Sequence, residues 1–440
     1  MGSTSIFVIY ATLLQPANPS LEGSKSVDAQ PESGAPVETS SADKTAGLPL
    51  ELGTYFFGRY ENRQGYDRLG VSRGRFSEGD FTVYRARLAL TSAPIDLGTG
   101  LSTQFRFAPQ AAGFFGDLPN TVDTAEFGLY EGWLRLEGTS WLIDAGRLRL
   151  NYGDAVVIGD LDWNQVGRSF DGMRGRVDIA PGSWIDVIVT QIRDGIQGPD
   201  DDAFAGDLFF GGLYANLGRL IDEELVLEPY VLSQLWAEQR LNVETTAPAA
   251  AQVTTGIRIK RELGLVDLRF EPGFQFGQRR VESGAPDVVA YQVDLEAGVR
   301  LTEGIRVSLE GVFASGDDPS TSDIEGWDEL FPTTHKWLGL MDVIGIRTNV
   351  ASGVAHASFV SGPFKALLDA HLFWRPETFD GQSGYAGAEF NMQAIYALGR
   401  GMTVRGLYGA FVPGDEHFLE DETFNDDIAH YLEAQYTFQL

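Results

Sequence analysis

Arginine recurs at every second position in several stretches of this 440-residue chain: Arg85 and Arg87, Arg147 and Arg149, Arg174 and Arg176. A guanidinium keeps its charge at any physiological pH and offers a planar fork that fits carboxylate or phosphate. Such pairs point to recognition of an anion, not to bond making. The residues that make and break bonds are poorly placed. The five histidines (His335, His356, His371, His417, His430) show neither H-x-x-x-H nor H-E-x-x-H spacing, which argues against a metalloenzyme. Gly70-Val71-Ser72-Arg73-Gly74 matches the nucleophile-elbow string, but no helical pattern follows it, and an elbow needs a strand-to-helix turn. No P-loop or dinucleotide fingerprint occurs. Cysteine is absent, which excludes a disulfide scaffold, thiolate metal sites and thiol catalysis. The acidic loops hold hard oxygen ligands without any twelve-residue calcium pattern, so solvated loops are expected. The expectation is a protein with no enzymatic activity, no cofactor and no metal.

Charge narrows the partners. Lys+Arg is 33 against Asp+Glu 62, a formal net charge of −29, which is a poor footprint for nucleic acid. Hydrophobic residues at 43% exclude a disordered acidic chain. The 52 glycines and 51 aromatics (Phe 28, Tyr 15, Trp 8) favour strands over helices. No apolar run reaches the 18 or so residues of a membrane-spanning helix.

The elements that carry the arginines have period two. In 289–301, Val289, Tyr291, Val293, Leu295, Ala297, Val299 and Leu301 alternate with Gln292, Asp294, Glu296 and Arg300. At 81–90, Tyr84, Ala86, Leu88 and Leu90 oppose Arg85 and Arg87; at 363–375, Phe364, Ala366, Leu368, Ala370, Leu372 and Trp374 oppose Lys365, Asp369, His371 and Arg375. These segments run to ten or more residues, where soluble strands average about five or six and a tilted membrane strand needs about 9–11. Eighteen such segments begin near 52, 80, 98, 125, 140, 168, 183, 207, 223, 252, 265, 288, 304, 348, 363, 385, 401 and 427. Short connections (137–140, 180–183, 301–304, 361–363, 397–402) alternate with long ones (62–79, 151–167, 193–206, 242–251, 316–342, 413–426). The reading is an all-β transmembrane antiparallel up-and-down barrel with short periplasmic turns and long extracellular loops, in the outer membrane of a Gram-negative bacterium. Residues 1–20 read as a targeting segment, 21–47 as a flexible acidic linker and 48–440 as the barrel, whose surroundings are lipid and lipopolysaccharide.

With the apolar parity towards lipid, the other parity faces a water-filled lumen. It carries Arg85, Arg87, Arg106, Glu131, Arg135, Arg147, Arg149, Arg174 and Arg176 in the first half, and Arg258, Lys260, Arg269, Glu271, Asp294, Glu296, Arg300, Glu310, Lys365, Asp369, Arg375, Arg405 and Glu433 in the second. Cations are 28 Arg to 5 Lys, concentrated early, while acids concentrate late. Opposed basic and acidic walls would set up a field across the pore that steers charged solutes; the alternative is that these groups pair and only stiffen the wall.

Two stretches carry a likeness to a known family. Ala145-Gly146-Arg147-Leu148-Arg149-Leu150-Asn151-Tyr152-Gly153-Asp154 leads into Ile158-Gly159-Asp160-Leu161-Asp162-Trp163-Asn164-Gln165-Val166-Gly167-Arg168-Ser169-Phe170-Asp171-Gly172, and far downstream stands Phe331-Pro332-Thr333-Thr334-His335-Lys336-Trp337-Leu338-Gly339-Leu340-Met341-Asp342. Together they resemble the alginate-export family of outer-membrane barrels. The resemblance implies an 18-stranded barrel and passage of an acidic exopolysaccharide through an electropositive constriction. In this chain Arg147, Arg149 and Arg174 are placed on the inward parity, with Trp163, Asn164 and Arg168 on a loop over the mouth. In the second motif, His335 and Lys336 face the pore, or Trp337 and Leu338 anchor a long loop to the rim. The expected function is a passive conduit for an anionic polysaccharide or oligosaccharide, with a periplasmic secretion scaffold as a partner; the rival reading is a small-solute diffusion porin.

Overall fold

The computed structural model of the chain describes residues 49–66, 79–115, 125–194, 206–240, 246–281, 284–378, 384–414 and 427–440. The expected targeting segment and linker lie outside the described residues, as do the 70–74 string and His417. Eighteen antiparallel strands form the barrel. In chain order they are β1 (Leu50–Gln64), β2 (Gly79–Ser92), β3 (Leu101–Phe115), β4 (Ala125–Glu137), β5 (Trp141–Leu148), β6 (Phe170–Ala180), β7 (Ser183–Arg193), β8 (Leu208–Asn216) and β9 (Leu225–Trp236). The second half comprises β10 (Ala250–Leu263), β11 (Val266–Gln278), β12 (Asp287–Thr302), β13 (Ile305–Ala314), β14 (Val350–Ser361), β15 (Phe364–Trp374), β16 (Tyr385–Gly399), β17 (Met402–Pro413) and β18 (Ala429–Gln439). The largest offset from the sequence reading is at β3, expected near 98 and beginning at Leu101.

Each strand pairs with its chain neighbours, and the sheet closes where β1 meets β18, from Tyr55 opposite Gln439 to Gln64 opposite His430. Closure leaves no open edge, which hydrocarbon would not tolerate. Both ends of the described barrel and the short connections share one end of it, the periplasmic one. The stretch 337–349 contains no barrel strand, and β14 begins at Val350.

The faces sort as a membrane demands. Leu88, Leu134, Val189, Phe274, Tyr291 and Leu309 are exposed on the outside, whereas Arg85, Arg258, Asp294, Glu310 and Glu389 are buried inside. Charge turned outward near the bilayer midplane would cost about 2–4 kcal/mol per residue. The apolar core lies inside the lumen. There the connections 149–169 and 315–349 fold inward and bury Leu150, Val156, Val157, Ile158, Trp337, Leu338 and Met341 against Phe210, Tyr214, Leu232, Val312, Phe373 and Phe411 of the wall. Each such side chain contributes about 1.5–3 kcal/mol on leaving water, so the two loops dock by the ordinary hydrophobic effect.

Candidate functional site: a vestibule roofed by two loops

The two family motifs, about 180 residues apart in sequence, meet in the lumen. Ile158 and Phe331 form a parallel β-bridge, Gly159 N–H donates to Phe331 O at 2.7 Å, and Thr333 N–H donates to Ala155 O at 2.8 Å. A Cβ on Gly159 would stand 2.3 Å from Thr333 Oγ1, so only glycine admits this approach. Arg168 ties the same seam, donating from Nη1 to Gly159 O at 3.2 Å and to Pro332 O at 3.0 Å. Burial pushes its guanidinium down to about 10. Ala155, Leu161 and Leu330 all hold positive φ (61°, 48° and 59°), so backbone strain collects where the loops join.

The wall grips this composite roof. Arg59 donates to Trp163 O at 2.9 Å, while Arg85 donates to Asn164 O at 3.0 Å and to Asp162 Oδ1 at 2.9 Å. Trp163 lies between the Arg59 guanidinium, 3.9 Å from its ring centroid, and the stacked ring of His335, also at 3.9 Å. His335 is buried and its imidazole is pushed well below the usual histidine range by that burial. It is therefore neutral, and the Nδ1–H donates to Asp342 Oδ1 at 2.6 Å. At the root of the first loop, Asp154 accepts from Arg258 Nε at 2.8 Å, and Arg258 Nη1 reaches Glu228 at 2.9 Å. Burial alone would raise the Asp154 carboxyl, but Arg258, Lys336, Arg269 and Lys260 hold it well below the ordinary carboxylate range.

Under the roof lies a cavity of about 1320 Å³, whose lining reaches Gly53, Gly182, Arg219 and Gln439 at the periplasmic end. Ten cationic side chains and seven carboxylates line it. Six of them, with Asp186 beside them, form a ladder across β3 to β7. Arg106 meets Glu131 at 3.0 Å, Arg135 and Arg174 share Asp144 (2.7 Å from Arg135), and Arg176 grips Asp186 with bonds of 2.6 and 2.9 Å. Arg149 pairs with Asp160 at 3.2 Å, Arg87 lies 3.6 Å from Asp162, and Arg405 pairs with Glu433.

Comparison with known proteins agrees with this geometry. The family model described as alginate export matches residues 104–423. The chain belongs to the alginate export family. No curated protein matches it. Among solved structures, Pseudomonas aeruginosa OpdK with vanillate is similar at 13% identity and a TM-score of 0.61, covering 90% of this chain and 100% of that one. Pseudomonas aeruginosa OccK2 (OpdF) in complex with glucuronate is similar at 12% identity and a TM-score of 0.58, with 90% and 100% covered. Acinetobacter baumannii OccAB1 has 10% identity and a TM-score of 0.62, with 89% and 96% covered. Like these relatives in fold, this family member is an outer-membrane β-barrel channel of Gram-negative bacteria and not an enzyme.

Of the residues singled out from sequence, Arg87, Arg106, Arg135, Arg149, Arg174, Arg176, Arg258, Trp163 and Lys336 line the vestibule. Arg85 is buried beneath the roof, and Asn164 (backbone), Arg168, His335 and Trp337 hold the roof together. Trp337 also carries Arg269 over its ring at 4.3 Å. Lys260 and Lys365 stand on the inward face away from the cavity, Arg300 faces Glu262 at 3.6 Å near the turns, and Asp369 binds His356 at 2.6 Å. Arg375 lies just beyond β15 and is exposed.

Arg147 corrects the parity reading. It lies on the outer face beside the exposed Asp171, 3.1 Å away, because the inward positions at the top of β5 are Asp144 and the apolar Leu148, which packs under the roof. Arg149 nevertheless reaches the cavity, since the strand ends at Leu148 and the chain turns inward. Replacing Arg147 by alanine should therefore leave ion selectivity in planar bilayers unchanged, and a shift in reversal potential would contradict the placement. The opposed basic and acidic walls also need correction, because acids are interleaved with the arginines and neutralise them locally. Arg59, Asp144, Asp154, Asp162, Asp186, Arg219 and Arg347 escaped the sequence reading. Arg59 alternates with Glu61 and Arg63 on β1 and was legible there; Arg219 sits in the 217–224 turn, where no period exists.

Proposed function

We propose that this channel prefers anions and passes acidic saccharides up to short oligosaccharides. The observation that carries the reading is the ten cationic side chains gathered on the vestibule wall of a chain whose net charge is −29, with Lys336 and Arg219 lacking a carboxylate within 4.0 Å among the described residues. A confined wall of one net sign raises the local concentration of the opposite ion. Reversal potentials across planar bilayers test it. Chloride should be preferred over potassium at about 0.1 M salt, with the preference fading towards 1 M as the Debye length falls from about 10 to about 3 Å. Clear cation preference at low salt would overturn the reading.

A second reading, a diffusion porin for small solutes alone, is supported by the roof pinned across the lumen. A long polymer would need both loops displaced and a periplasmic scaffold to feed it. Swelling of protein-loaded liposomes in uronate monomers, dimers and longer oligomers separates the two. Entry confined to monomers supports the porin, and entry of oligomers supports the oligosaccharide conduit.

A further inference from the structure

Resting on the anion-channel reading, we infer that Lys336, delivered by the second loop, is the residue that sets charge selectivity, and that the arginine ladder is not. Among the described residues, eight of the ten cations on the vestibule wall have a carboxylate oxygen within 4.0 Å. To a passing anion a one-to-one pair is a dipole, whose field falls off faster than that of a charge, while Arg135 and Arg174 spread one net charge over the group they form with Asp144. The two without such a partner are Lys336 and Arg219. They are not equivalent. Arg219 is exposed in a periplasmic turn, where mobile ions screen it. Lys336 is half-buried in the roof, three residues from Thr333, where the two loops join.

Its surroundings leave the ammonium charge available. The Nζ lies 4.3 Å from the centroid of the Trp337 ring, an attraction that orients the group without cancelling its charge. The groups that face it are Asp154 from the first loop, Arg258 on β10, Arg269 on β11 and Glu310 on β13. Asp154 is engaged with Arg258, and Glu310 with Arg269 and His356. Burial pushes the ammonium below the usual lysine value, Asp154 works against that, and the two arginines add to it. The charge is therefore lost, as pH rises, earlier than that of an exposed lysine.

The test measures reversal potentials of the full-length protein at about 0.1 M salt. Lys336→Gln should lower the anion-to-cation permeability ratio about fivefold, the size of a unit charge acting over about 4 Å of water. Lys336→Arg should keep the ratio. The charge-neutral double change Arg106→Gln with Glu131→Gln, a one-to-one pair, should move it less than about twofold, since a dipole and not a charge is removed. The wild type should lose anion preference on raising the pH towards the lysine range while Lys336→Arg does not, a readout that needs no destabilising variant. A wild-type ratio retained in Lys336→Gln, or an equal shift in the double change, overturns the assignment. A wild type with no anion preference at all would instead overturn the function proposed above.

Discussion

Trp163→Ala is expected to raise single-channel conductance severalfold and to make the 149–169 segment a target for added trypsin. The indole is 6% exposed and touches both the wall, through Arg59, and the second loop, through His335. Truncating a buried tryptophan costs about 3–5 kcal/mol, and the lost cation–π contact is part of that sum. The strand ladder of the barrel does not depend on this residue, so the cost falls on docking of the roof. Arg85 still holds the carbonyls of Asp162 and Asn164, which predicts noisy, partial opening and not an empty lumen. Conductance and trypsin resistance equal to the wild type would show that the roof is held elsewhere.

Arg258→Ala is expected to lower barrel stability by about 3–5 kcal/mol, read as the urea midpoint of unfolding in detergent micelles. The guanidinium is wholly buried between Asp154 and Glu228, and its removal takes away the cation that both carboxylates share, leaving Arg269 4.0 Å from Asp154. Tyr214 donates to Glu228 at 2.9 Å and cannot replace the charge. Gly153 compounds the effect: it has φ of 54° and leaves no room for a Cβ beside Arg258 and Tyr214, so the root of the loop cannot slide to a new partner. Combining Arg258→Met with Asp154→Asn and Glu228→Gln should restore most of the loss, because no lone charge remains. The pH dependence follows from the depressed carboxyl of Asp154. A lowered acid contributes stability above its unfolded range and loses it only as pH falls through its folded value. Roof docking in the wild type should therefore stay level from neutral to mildly acid pH and weaken only in strong acid. A restored triple variant would identify the uncompensated charge as the cause, and failure of that rescue would point to the shape of the guanidinium instead.

The two variants act on different links of one chain of cause. Trp163 joins roof to wall by stacking, Arg258 joins loop root to wall by charge, and Lys336 uses the position that both secure. An anion entering from the periplasmic side would meet the solvent-screened Arg219 and the paired arginine ladder first, and the partly buried charge of Lys336 at the roof. Selectivity and gating would then reside in the same 315–349 connection.

Alternation of residue type was enough to place eighteen strands, their direction and their closure, because in hydrocarbon every backbone amide must be paired and every outward side chain must be apolar. These are local, periodic demands, and they leave a periodic trace such as Val289 to Leu301. Loop lengths were likewise plain, and the two motifs could be seen as unusual strings. What no period carries is where a long loop goes once it leaves its strand. Ile158 found Phe331 across the lumen because apolar loop residues and an apolar upper wall bury each other, a decision made by packing in three dimensions. The same packing inverted the parity rule at the top of β5, turning Leu148 inward and Arg147 outward near the rim. It also decided which charges cancel: Arg135 and Arg174 converge on Asp144 only because strand register sets them side by side. Sequence determined the wall, since a wall is built from neighbours along and across strands; tertiary structure decided the passage, since a passage is what remains after distant segments have packed.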